Sequence, residues 1–92
     1  MPLLDEKTLK EAMRKLPDWR VEAGTLRRSI EFPDFPQAIH FVTLVAGMAE
    51  RARHHPDIDI RYNRIEFTLV SHDAGGITER DIALAGEIEA AI

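Results

Sequence analysis

Two apolar alternations stand back to back between Ile58 and Leu69, and no other feature limits the fold of this chain so tightly. Ile58, Ile60 and Tyr62 share one strand face, and Ile65, Phe67 and Leu69 share the next. With Asn63-Arg64 as a two-residue turn, Tyr62 opposes Ile65, Ile60 opposes Phe67, and Ile58 opposes Leu69. Every apolar residue then lies on one side, while Arg61 meets Glu66 on the other. A one-residue slip would turn the whole set to the opposite face, so the register is strongly specified. Carried to its open end, the same register sets His55 across from His72, with Cβ atoms about 5 Å apart. Three of the four histidines, His54, His55 and His72, therefore gather at one end of a sheet. Imidazoles titrate near neutrality, and a cluster of them reads as a proton-transfer site.

Periodicity assigns the remaining elements. Leu9, Ala12, Met13 and Leu16 follow helical spacing, so a first helix runs from about Asp5 to Leu16, with Asp5 as N-cap and Pro17 as its stop. Alternation from Trp19 to Glu22, a turn at Ala23-Gly24 and alternation from Leu26 to Phe32 make a first hairpin. A long helix follows from Pro36 to Arg53, with Ala38, Phe41, Val42, Val45, Ala49 and Ala52 as its core stripe. Leu44 and Met48 form a second apolar strip, which is either a wide core face or a subunit interface. Together with open sheet edges it points to a homo-oligomer, dimer or tetramer. Thr78 caps the last helix, Asp81 closes a capping box, and Ile82, Ala85, Ile88 and Ile92 continue its buried stripe. The order α-β-β-α-β-β-α predicts one α+β domain over residues 1–92. Its four-stranded antiparallel sheet carries the helices on one face.

Several function classes drop out. The chain has no cysteine, which removes disulfides and thiol catalysis. Its net charge is −4, and Arg27-Arg28 and Arg51/Arg53 are too sparse for a nucleic-acid footprint. The longest apolar stretch is far too short to span a membrane, and Met1 to Glu6 lacks a signal-peptide pattern, so a cytoplasmic protein is expected. Ser71-His72-Asp73 has the letters of a hydrolase triad, but consecutive residues cannot assemble its geometry. Metal binding is the competitor for the histidines. No H-x-x-x-H or H-E-x-x-H spacing occurs, and no metal is expected. Glu50 lies four residues before His54, within reach on a helix. Ala74-Gly75-Gly76 ahead of a helix N-terminus is either a ligand seat or a simple turn.

These residues, in order, resemble a family. Glu50-x-x-x-His54-His55-Pro56, Tyr62-Asn63, Thr68-Leu69-x-Ser71-His72-Asp73 and Gly76-x-Thr78-Glu79-Arg80-Asp81-Ile82-Ala83-Leu84-Ala85 look like pterin-4a-carbinolamine dehydratase. Trp19, Leu26-x-Arg28, Phe32-x-x-Phe35 and Ala38 extend the likeness over nearly the whole chain. One departure is visible: Ile58 stands where animal members carry Trp, which bears on pterin stacking. The resemblance implies dehydration of a 4a-hydroxytetrahydropterin, the product of aromatic amino acid hydroxylases, to quinonoid dihydropterin. Such a reaction needs an acid and a base but no metal, nucleophile or redox cofactor. It implies His54, His55 and His72 as catalytic residues, with Glu50 orienting His54, and with His55 and His72 as the acid/base pair. Two facing imidazoles would share one proton near neutrality. His54, His55, Pro56, Ser71, His72, Asp73, Ala74 and Asp81 are the implied substrate-binding set, with the backbone of 71–74 facing the pterin's amide edge. Animal members also serve as dimerisation cofactors for a homeodomain transcription factor. An interaction module without catalytic role is therefore the alternative.

Overall fold

Local signals place each element, and the computed structural model, which describes residues 2–92, realises them in the expected order α-β-β-α-β-β-α. Helix α1 spans Glu6–Met13, and the Asp5 carboxylate accepts the Thr8 N–H at 2.8 Å. It ends before Leu16 because the last turn tightens: Lys15 and Leu16 donate to the carbonyls of Ala12 and Met13, both at 3.1 Å. Strands β1 (Arg20–Glu22) and β2 (Thr25–Glu31) are joined by Ala23-Gly24, whose φ values of 51° and 73° suit the left-handed turn of a tight hairpin.

Helix α2, Phe35–Ala52, starts where the Asp34 side chain accepts the Gln37 N–H at 2.9 Å. Pro36 sits in its first turn, where a missing N–H costs nothing. Ala38, Phe41, Val45 and Ala49 are buried, while Ala52, expected in the stripe, is exposed. Leu44 is 45% exposed, and Met48 packs only partly against the core. Helix α3, Glu79–Ala91, opens on the Thr78/Asp81 capping box and buries Leu84, Ala85 and Ile88. Ile92, expected in that stripe, lies beyond the helix and is exposed.

The strands form one antiparallel sheet in the order β1-β2-β4-β3, with β3 spanning Asp57–Arg61 and β4 Arg64–Leu69. Leu26 and Ile30 of β2 and Ile65, Phe67 and Leu69 of β4 are buried in one cluster with the helices, each contributing roughly 1.5–3 kcal/mol before entropy. Phe41 meets Phe67 edge-on at 6.0 Å. Glu89 of α3 accepts from Trp19 Nε1 at 2.8 Å and from Arg28 Nε at 2.9 Å, tying the first hairpin to the last helix. The Arg28 guanidinium, and then the Trp19 N–H, hold the Glu89 carboxyl below the usual carboxylate range against the opposing effect of burial. Among the described residues no helix is long and apolar enough to cross a membrane.

The second hairpin is shifted by two residues from the register expected above. Arg61 pairs with Arg64, Ile60 with Ile65 and Ile58 with Phe67, so the turn is Tyr62-Asn63. Arg61 therefore does not meet Glu66, which faces Asp59 instead. A two-residue shift preserves parity, and the isoleucines keep their side of the sheet. Tyr62 alone leaves it and is 70% exposed. The cause lies outside the hairpin. Asn63 is clamped to the end of β2, accepting the Phe32 N–H at 2.8 Å and donating from Nδ2 to the Phe32 carbonyl at 2.7 Å. Tyr62 takes a φ of 53° and stacks on Phe35, with ring planes 5° apart. Pairing ends at Asp57 opposite Thr68. Its continuation would face His55 with Val70, so the expected opposition of His55 and His72 is not formed.

Candidate active site

The end of α2 decides where the two adjacent histidines go. Arg53 adopts a left-handed φ of 52°, its N–H bonding the Glu50 carbonyl at 3.3 Å, and the His54 N–H reaches the Ala49 carbonyl at 3.1 Å. This pair of bonds reverses the chain sharply. Arg in that conformation costs on the order of 1 kcal/mol. As a result His54 points inward, 8% exposed, while the His55 side chain is 62% exposed.

His54 Nε2 lies 2.5 Å from Asp81 Oδ1. Asp81 is fully buried, and its other oxygen accepts the Ser71 hydroxyl at 2.9 Å and the Thr78 N–H at 2.8 Å. With the Ser71 proton committed to Asp81, the Thr78 hydroxyl donates to Ser71 Oγ at 2.8 Å. An ionised carboxylate only accepts, so His54 donates from Nε2 and leaves Nδ1 free. His55 Nε2 lies 2.5 Å from Glu50 Oε2, in an exposed pair. Glu50 thus touches His55 and not His54, contrary to the expectation of an i, i+4 contact. That expectation carried helical spacing one residue past a helix ending at Arg53, and the left-handed Arg53 breaks the spacing before His54.

His72 is exposed in a turn closed by Ser71 and Gly76. The Ser71 N–H bonds the Gly76 carbonyl and the Gly75 N–H bonds the Ser71 carbonyl, both at 2.9 Å, with Gly75 at a φ of 79°. Asp73 Oδ1 accepts from the Arg80 guanidinium at 2.5 Å, which holds the Asp73 carboxyl below the usual range. Pro56 and Ala74 are half-buried. Asp81 and Ser71, expected to face substrate, are buried, and their side chains are engaged with each other, His54 and Thr78. The His54–Asp81 bond spans 27 positions and was not read from the sequence. Its one signal was an Asp where a capping box ordinarily carries Glu or Gln.

His54 and Arg80 border a cleft of about 260 Å³ with Ala52, Ala83, Leu84 and Glu87. A larger groove, about 720 Å³, runs between α1 and α3 without a histidine, while the smaller cleft is lined by His54 but not by His55 or His72. Among the described residues no three His, Asp or Glu side chains converge as metal ligands would. The arrangement offers two imidazole–carboxylate pairs, one buried and one exposed, and a third imidazole on a neighbouring turn. It can deliver and remove protons.

Comparison with known proteins agrees with this chemistry. The family model described as Pterin 4 alpha carbinolamine dehydratase matches residues 2–91. A protein of Acidobacterium capsulatum named for pterin-4-alpha-carbinolamine dehydratase is 53% identical over 98% of both chains. The crystal structure of a transcriptional coactivator/pterin dehydratase from Brucella melitensis superposes with a TM-score of 0.91 at 37% identity, covering 96% of each chain. A pterin dehydratase-like RuBisCO assembly factor of the alpha-carboxysome shares the fold, with a TM-score of 0.68 at 24% identity over 79% of this chain and 87% of that one.

Proposed function

Because the chain belongs to the pterin 4 alpha carbinolamine dehydratase family, we propose that His54, His55 and His72 carry out its dehydration of a 4a-hydroxytetrahydropterin. The observation that carries this reading is the splitting of two adjacent histidines between two carboxylates, Asp81 for His54 and Glu50 for His55. His55 and His72 are both exposed and form the acid/base pair. One protonates the departing C4a hydroxyl, which leaves as water. The other takes the proton of the adjacent ring nitrogen, and a carbon–nitrogen double bond forms between that nitrogen and C4a. No electron enters or leaves, so the balance closes without a redox cofactor. His54, fixed by Asp81, borders the cleft from inside and positions the ring. Pro56, Asp73, Ala74 and the backbone of 71–74 line the substrate's edge, while Ser71 and Asp81 act from behind.

We assign the working form as a homo-oligomer. Leu44, Phe35 and Ile60 are 45%, 44% and 43% exposed, and β1 and β3 are open sheet edges. The test is the rate of dehydration of freshly generated 4a-hydroxytetrahydropterin. His55→Ala and His72→Ala should each slow it by about 10²–10⁴-fold. The double replacement should cost much less than the product of the two. Variants that keep the unmutated rate would overturn the assignment.

A further inference from the structure

We propose that Arg80 is a positioning residue that fixes His72 by holding Asp73, a role that rests on the reading of His72 as a proton-transfer group. Backbone bonds close the Ser71–Gly76 turn on itself, with the Gly75 N–H reaching the His72 carbonyl at 3.3 Å, but none of them ties residues 72–75 to α3. Among the described residues, the Arg80–Asp73 contact is the one side-chain hydrogen bond that reaches residues 72–75. Arg80 itself is set on the first turn of α3, which the Thr78/Asp81 box holds in place. Two successive residues of that turn therefore grip both histidine-bearing segments. Asp81 takes His54 and Ser71, and Arg80 takes the residue next to His72.

Stability does not account for Arg80. A cation in the first turn sits at the wrong end of the helix dipole. Its Nε is buried, yet no protein acceptor lies within hydrogen-bonding distance, and an unpaired buried N–H carries a desolvation penalty. The return is a partly exposed ion pair, with the side chains 31% and 64% exposed, and such pairs add little to folding. What the contact does supply is a fixed distance between the tip of the turn and α3.

The experiment is a double-mutant cycle of Arg80→Gln and Asp73→Asn, read as kcat, KM and thermal midpoint, beside His72→Ala. Each single variant should lower kcat about tenfold with little change in melting, and the double variant should be no slower than either single one. Losses that multiply would overturn the proposal. So would a fall in kcat for Asp73→Asn that Arg80→Gln does not share, since Asp73 would then act without Arg80. Unimpaired turnover in Arg80→Gln, with His72→Ala inactive, would refute this inference and leave the role of His72 standing. An active His72→Ala would remove the reading beneath it as well.

Discussion

Asp81→Asn tests whether His54 needs a carboxylate behind it or only a filled space. The Asn oxygen can still accept from Ser71 and Thr78, now 2.9 and 2.8 Å from Asp81 Oδ2. Its amide then faces His54, so Nε2 must become an acceptor and the ring proton moves to Nδ1. A hydrogen bond to a charged group contributes about 1.5–3 kcal/mol, against about 1 for a neutral one. Loss of charge on two retained bonds, with the third rearranged, sums to about 2–3 kcal/mol. A domain stable by about 5–15 kcal/mol survives that, with a melting point lower by about 8–24 °C. Asp81→Ala is a poorer probe, because it strands three buried donors at about 1–3 kcal/mol each. Tautomer reversal behind the histidine of a hydrolase triad lowers kcat by about 10⁴. In the proposed mechanism His54 supports the reaction without carrying its main proton transfers, so a loss of about 10² is expected. Stopped-flow absorbance of carbinolamine decay, taken well below the melting point, measures it. A variant that melts early but turns over within twofold of the unmutated protein would show that Asp81 merely caps α3.

Three further outcomes are expected. Glu89 has a lowered carboxyl pKa, so its ionised form stabilises the fold above the ordinary glutamate value, and that contribution is lost as pH falls through the lowered one. Glu89→Gln should cost about 1–2 kcal/mol near neutrality in denaturant unfolding, and a deficit that persisted undiminished in strong acid would contradict the assignment. Dialysis against a strong chelator should leave turnover intact, because the reaction moves only protons. Activity lost to chelation and restored by zinc would reverse that view. Leu44→Glu should dissociate the oligomer, since a carboxylate buried without a partner costs several kcal/mol, and light scattering that finds the unmutated protein monomeric at micromolar concentration would count against the interface.

Elements carrying their own signals were legible in the residues. Asp5, Ala23-Gly24 and the Thr78/Asp81 box each act within a few positions, and the structure places them as read, whereas α1 ends at Met13, ahead of the stop expected at Pro17. The second hairpin was legible in parity but not in register, because period-two alternation cannot distinguish pairings two residues apart. What chose between them was Asn63 gripping Phe32, a contact across 31 positions. The site divides in the same way. Clustered histidines announced proton chemistry, but their carboxylate partners depended on Arg53 turning left-handed. Helical spacing alone would have joined Glu50 to the wrong ring.

The capping of α3 by Asp81 has a consequence for motion. Functional segments are commonly drawn from the parts of a protein that open most easily. Here the carboxylate that holds His54 also holds the Thr78 amide, so swinging that carboxylate away from the ring unravels the start of a helix. The exchange of one backbone proton with solvent therefore counts how often this support comes apart. A slow Thr78 amide would mean that substrate meets His54 already in place, with its arrangement settled when the chain folded.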